Sequence, residues 1–136
     1  MEKVGERTAP TAGQTHIVDV LSMEWVQFDE GVWGKVLYKD DTTGAATVLF
    51  RFEPGAQAPM HEHTGLEQTY VIEGELEDHD GILTAGNFAV REAGSVHAAS
   101  SKRGSLHIAF FSRPVRKIEG GLAGFSEPAP HLGKDG

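Results

Sequence analysis

Two histidines set two residues apart, His61 and His63, a carboxylate four residues further on, Glu67, and a later histidine, His97, are the side chains here best suited to do chemistry. The stretch around them has no helical periodicity. On a β-strand side chains alternate with a period of two, so His61 and His63 project from one face. Glu67 follows the short link Thr64, Gly65 and Leu66, which lets it begin the next turn or strand and point back at the pair. Two neutral imidazoles and a carboxylate suit a divalent first-row metal such as iron, manganese, nickel or zinc. A metal site is the first reading of this stretch. A His-x-His pair on a surface strand can equally be an ordinary solvated face, and it is the flanks that weigh against that. Gly55 and Gly74 bracket the first three candidates, while Gly86 and Gly94 lead up to His97.

Composition narrows the class of protein that positions these residues. A chain of 136 residues is one domain, long enough to bury a single core. It has no cysteine, which removes disulfides, zinc fingers and iron–sulfur clusters. The formal net charge of -8 would repel a phosphate backbone, so nucleic acid is not an expected partner, and the charge reads as ordinary solubility. No run approaches the apolar length of a membrane span, so no membrane partner is expected. The first residues, Met1 to Arg7, lack the apolar core of a secretory signal, and a cytoplasmic protein is expected.

Residues 1–15 carry no periodicity and read as a flexible lead-in, 16–118 as a β-barrel, and 119–136 as a loop-like tail. Short strands are expected at 17–21, 25–28, 32–40, 45–52, 68–72, 82–84, 88–91, 96–99 and 105–111, with weaker pairing at 115–118. Turn clusters separate them, among them Asp29-Glu30-Gly31, Glu53-Pro54-Gly55 and Asp78-His79-Asp80-Gly81. Glu73-Gly74-Glu75 is expected to close the strand that starts after Glu67. Many short strands without a helix argue for an all-β fold, a small antiparallel sandwich or barrel. Its interior can hold a metal and one small ligand, with His97 beside the His61–His63 pair. Trp25, Phe28, Trp33, Phe50 and Phe88 are most simply core. Arg51, amid Leu49, Phe50 and Phe52, either enters the cavity or closes a surface salt bridge. Tyr70 and Gln68 either line the pocket or pack. His107 shares a face with Ala109 and Phe111 and reads as structural, whereas His16, His79 and His131 read as solvated.

At these residues the sequence resembles a cupin. The first cupin motif, G-x5-H-x-H-x3,4-E-x6-G, is matched by Gly55, His61, His63, Glu67 and Gly74; the second is matched at Gly86, Gly94 and His97. It departs at Glu92, where proline is usual, and at Ser101, where asparagine is usual; both positions shape the loop and its packing. The run from Gly74 to Gly81 and the spacing to residues 85–88 are similar to the ChrR-like group. That group includes the sensing domain of zinc-dependent anti-sigma factors and stand-alone single-domain proteins, and lies near dioxygenases that cleave diketones and hydroxyketones.

The resemblance implies a jelly-roll β-barrel binding one divalent ion through His61, His63, Glu67 and His97. Iron(II) is favoured, with zinc, manganese or nickel as alternatives, and Arg51 and Tyr70 are candidates to surround the ligands. Such a ligand set leaves one or two positions open for a small-molecule substrate and O2. The diketone-cleaving relatives use three histidines alone, so the carboxylate resembles the sensor and general cupin pattern more closely. Two functions follow: an iron-dependent dioxygenase acting on a small diketone or hydroxyketone, which is favoured, or a non-catalytic metal-bound sensing module. Complete anti-sigma factors of this kind carry a cysteine-containing zinc domain, so with no cysteine this chain is not expected to be one. The apolar strands and the resemblance together imply a homodimer.

Overall fold

The computed structural model describes residues 13–118 of the chain. Most of the expected lead-in and all of the expected tail, with His131, therefore lie outside the described residues. A 3-10 turn, Val20–Ser22, precedes ten strands: β1 (Val26–Asp29), β2 (Val32–Lys39), β3 (Ala46–Phe52), β4 (Ala56–His63), β5 (Glu67–Asp78), β6 (Gly81–Thr84), β7 (Phe88–Arg91), β8 (Val96–Ser101), β9 (Ser105–Phe111) and β10 (Val115–Lys117). All pairings are antiparallel, in the order β1-β2-β3-β9-β5-β8-β4-β10, with β6 and β7 also on β5. The fold is all-β, as the strand pattern implied. Among the described residues no helix is long and apolar enough to cross a membrane.

β5 curls this sheet around a core. Its first half pairs with β9 and β7, and its end pairs with β6 and β8. The inner faces bury Phe28, Val32, Val48, Phe50, Phe52, Val71, Leu76, Phe111 and Val115, together with several alanines. Each large side chain withdrawn from water contributes about 1.5–3 kcal/mol. The apolar row is what holds the strands at one register.

Two bulges change which residues that row contains. Ala58 pairs with Ala99 and His61 with His97, so β4 carries one more residue than β8 in this interval. Ala56 and Ala58 point inward before the bulge, and His61 and His63 point inward after it. Strict alternation would have turned both imidazoles out. Pro59, which has no N–H to donate to a ladder, sits inside the irregularity, where proline is tolerated. In β5 the second bulge falls between Val71 and Glu73. Glu67, Thr69 and Val71 are buried before it, and Leu76 after it.

Three expectations are corrected. Residues 17–21 are not a strand: Ile17 and Leu21 are exposed, and with no neighbour to pair with, the β-branched run alone does not make one. Gly74 does not close β5 but lies within it, where the strand passes from one half of the sheet to the other. Of the expected core aromatics, Phe28 and Phe50 are buried, Trp25 and Trp33 are half-buried, and Phe88 is exposed. Trp33 Nε1 donates to Glu53 Oε2 at 2.7 Å, and Trp25 stacks beneath two cations, so each amphipathic ring sits at the rim.

Gly74 has φ +78°, and a Cβ there would stand 2.0 Å from the Gly104 carbonyl oxygen. That neighbour is backbone and cannot swing away. Gly74→Ala should lower unfolding free energy by about 2 kcal/mol or more, read from urea denaturation. An unchanged midpoint would mean the crossing relaxes freely.

Candidate metal centre

The bulge in β4 and the pairing of His61 with His97 bring three imidazoles to one point. Their ring centroids are 4.6 to 5.0 Å apart, and one nitrogen from each lies within 4.8 Å of the others. All three rings are buried. The turn before β8 is fastened to the same place, because Gly94 N donates to His63 O at 2.7 Å and His63 N donates to Ser95 O at 2.9 Å.

Partners outside the cluster orient the rings. His61 Nδ1–H donates to the Pro59 carbonyl at 2.8 Å, so its Nε2 carries the lone pair. His97 Nδ1–H donates to Asp78 Oδ2 at 2.8 Å, with the same consequence. His63 Nε2 lies 2.9 Å from His97 Nε2 and 3.2 Å from Glu67 Oε1. Burial, and then the neighbouring imidazoles, push the His63 ring down to about 2, and burial, with His61 next, pushes His97 down to about 4. His61 is lowered by burial as well. Around neutral pH all three are uncharged, the form in which imidazole binds a metal.

Glu67 opens β5 beside them. The 64–66 link returns the chain because Leu66 N donates to Ser112 Oγ at 2.8 Å and Ser112 N donates to Leu66 O at 2.9 Å. Thr69 Oγ1 donates to Glu67 Oε2 at 3.2 Å, and Arg91 Nη1 stands 3.6 Å from Oε1. Oε1 itself is buried without a hydrogen bond, and burial raises the carboxyl above its ordinary range. Three converging imidazole nitrogens, with the proton between His63 and His97 Nε2 free to be displaced, beside a carboxylate oxygen that accepts no hydrogen bond are a donor set that fits a divalent cation.

Sequence reasoning missed Asp78 and Arg91. Asp78 was placed in a polar turn, but the second bulge aims it inward, where Arg91 Nη2 donates to its Oδ2 at 3.1 Å beside His97. Burial alone would raise Asp78. Hydrogen bonds from the Asp80 backbone, Arg91 and His97 outweigh that and hold it ionised below the usual carboxylate range. No local signal marks either residue. Arg51 and Tyr70, by contrast, are on the outside. Arg51 is exposed, its guanidinium 4.8 Å from the Trp25 ring centre, and Tyr70 falls on the outward parity of β5 and is 42% exposed. Gln68 shares that outward parity and is half-buried. Ser101, in the place of asparagine, donates to Glu75 O at 2.5 Å and ties β8 to β5.

A cavity of about 30 Å³ adjoins the cluster, lined by His61, His97, Glu67, Arg91 and His107 among aromatic and aliphatic walls that include Phe50, Phe52 and Phe111. It has room for about two water-sized groups.

A curled antiparallel shell closing on three inward imidazoles is the architecture of a cupin. The chain belongs to the family described as the ChrR cupin-like domain, whose pattern matches residues 13–116. Among solved structures it is similar to a candidate acetylacetone dioxygenase from Methylibium petroleiphilum, at 17% identity and TM-score 0.74 over 83% of this chain and 87% of that one. It is similar also to an acetylacetone dioxygenase from Acinetobacter johnsonii, at 19% identity and TM-score 0.69 over 88% and 86%. A third likeness is to the complex of Rhodobacter sphaeroides SigE with the anti-sigma ChrR, at 24% identity and TM-score 0.60 over 66% of this chain and 50% of that one. At these identities the likenesses show the fold. No curated protein matches the chain.

Asp78→Asn keeps the side-chain shape but removes the charge that fixes His97 with Nε2 inward. Divalent metal affinity should fall about 10–100-fold, measured by competition with a chelating indicator. Equal affinity would show that packing alone orients the ring.

Proposed function

We propose that the chain is a metal-dependent enzyme of the dioxygenase type, working in the cytoplasm on a small diketone or hydroxyketone. The observation that carries this reading is the convergence of three neutral imidazoles on Glu67 Oε1, an oxygen that accepts no hydrogen bond, beside an apolar cavity. In it His61, His63 and His97 hold one divalent ion, iron(II) by preference, and Glu67 is the fourth ligand. Bound there, the ion supplies Lewis acidity and a redox centre through which O2 can react with an enolate.

The chain's own residues set charge and access. Glu67 and Asp78 bring two negative charges against the single positive charge of Arg91, so a divalent ion leaves the centre one charge positive. A monoanionic chelate such as an enolate neutralises it. The aromatic and aliphatic walls exclude bulk water and strengthen that attraction. The free volume takes little more than the two oxygens of such a ligand, with the remainder towards the mouth. The likeness to an acetylacetone dioxygenase and to a candidate one supports the substrate class. The same family includes a sensing domain, and binding without turnover is what that second reading predicts.

After anaerobic iron(II) loading, the protein should consume O2 on addition of acetylacetone or a related diketone, and His97→Ala should lose both metal and uptake while keeping its β-sheet circular dichroism. Tight ligand binding with no uptake would favour the sensing module. Stoichiometric metal retained in His97→Ala would overturn the ligand assignment.

We propose further that two copies pair through the outer face of β9, β5 and β7. Phe110, Tyr70, Ile72, Phe88 and Val90 are each 42 to 54% exposed there, and Tyr70 pairs with Phe88 across the ladder. The row carries no charge, and a chain of net charge -8 meets its copy most favourably at such a patch. Ile72→Lys should convert a dimer to a monomer in light scattering, and a monomeric wild type would sink the idea.

A further inference from the structure

We infer that His107 is a ligand-binding residue, one that supplies a fixed, uncharged hydrogen bond to an oxygen of the molecule bound in the metal-centre cavity. The inference deepens the proposed function and rests on it for the position of the ligand. The inward row of β9 is Ser105, His107, Ala109 and Phe111. His107 is the one polar member of that row lining the cavity wall that also contains His61, His97, Glu67 and Arg91.

Its ring is held in place. Phe50 stacks on it at 5.3 Å and 23°, and Phe52 meets it edge-on at 5.1 Å. The Ser105 hydroxyl engages Nδ1 at 2.9 Å. Only 3% of the residue is exposed, and among the described residues Nε2 has no hydrogen-bond partner. A neutral imidazole has one donor and one acceptor nitrogen, and the Ser105 contact satisfies one of them whichever tautomer is present. Among the described residues the sealed side-chain atoms without a hydrogen bond are Glu67 Oε1 and Glu77 Oε1, so the other His107 nitrogen keeps access to the cavity, where a ligand oxygen can reach it.

The competing reading is a structural histidine. A structural histidine ties elements together, yet Ser105 lies on the same strand two residues away, so this bond links nothing across the sheet. Phenylalanine would fill the same aromatic niche without a nitrogen at the cavity wall. Burial, and secondly the charge on Arg91, push the ring down to about 3, so it serves as a hydrogen-bonding group and not as a cation. The ligand this selects is a small oxygenated molecule bearing a carbonyl or hydroxyl for Nε2.

The test compares full-length wild type with His107→Phe, first without metal and then loaded with cobalt(II). Metal-free His107→Phe should melt close to wild type, because the ring's hydrogen bond joins it to no second element; a fall of about 10 °C or more would make His107 a fold-building residue and overturn the inference. Cobalt uptake and azide binding, followed by the visible spectrum, should match wild type. Affinity for acetylacetone or hydroxyacetone should fall about tenfold or more, and His107→Gln should recover part of it. Equal affinity in His107→Phe overturns the inference and leaves the metal centre standing. A wild type that takes up no cobalt overturns the metal reading instead, and the melting comparison then decides for His107 alone. A wild type that binds azide but neither organic probe overturns the diketone reading and this inference together.

Discussion

The site depends on one irregularity in the backbone, the extra residue that β4 inserts between Ala58 and His61 opposite β8. A strand has two faces and no others, so a single added residue exchanges them. Before the insertion β4 contributes small alanines to the core; after it, the same inward face carries His61 and His63. Pro59 makes the irregularity tolerable at its own position and lends its carbonyl to His61 Nδ1. Backbone geometry and ligand tautomer are thereby set by one residue.

The second irregularity, in β5, does the corresponding work for the surrounding shell. Without it Glu77 would face inward and Asp78 outward. With it, Asp78 accepts from both His97 and Arg91, and Arg91 reaches Glu67. Burying two carboxylates and a guanidinium is costly unless each is paired, and the network pairs all three, although Glu67 Oε1, 3.6 Å from Arg91 Nη1, accepts no hydrogen bond. That exception is informative. Among the described residues only Glu67 Oε1 and Glu77 Oε1 are buried side-chain atoms without a hydrogen bond, and the first lies beside three clustered imidazoles, an arrangement that a cation would stabilise.

The surroundings explain why such a centre can support either chemistry or sensing on one scaffold. The walls are aromatic and aliphatic, so electrostatic attraction inside is strong and water is scarce. The barrel supplies rigidity, through an apolar row that is continuous from β1 to β10. What distinguishes one relative from another is then a small number of inward side chains near the metal. Among the described residues, Arg91 and His107 are the polar ones that line the cavity beside the candidate ligands. Fold likeness to dioxygenases and to an anti-sigma complex is consistent with that division of labour.

The sequence by itself determined the strand-rich architecture, the turns and the ligand types. Period-two hydrophobicity, turn residues and the spacing of His61, His63 and Glu67 are local properties, readable from neighbours in the chain. It could also place His107 on the face of Ala109 and Phe111, since β9 runs without a bulge. Residues whose role depends on a partner far along the chain were not legible. Arg51 could face the cavity or the surface by its neighbours, and lies outside against Trp25; Asp78 looked like turn punctuation and orients His97; 17–21 looked like a strand and had nothing to pair with. Tertiary structure alone decided these, because a bulge is a mismatch between two strands, and neither strand's sequence states the register of the other.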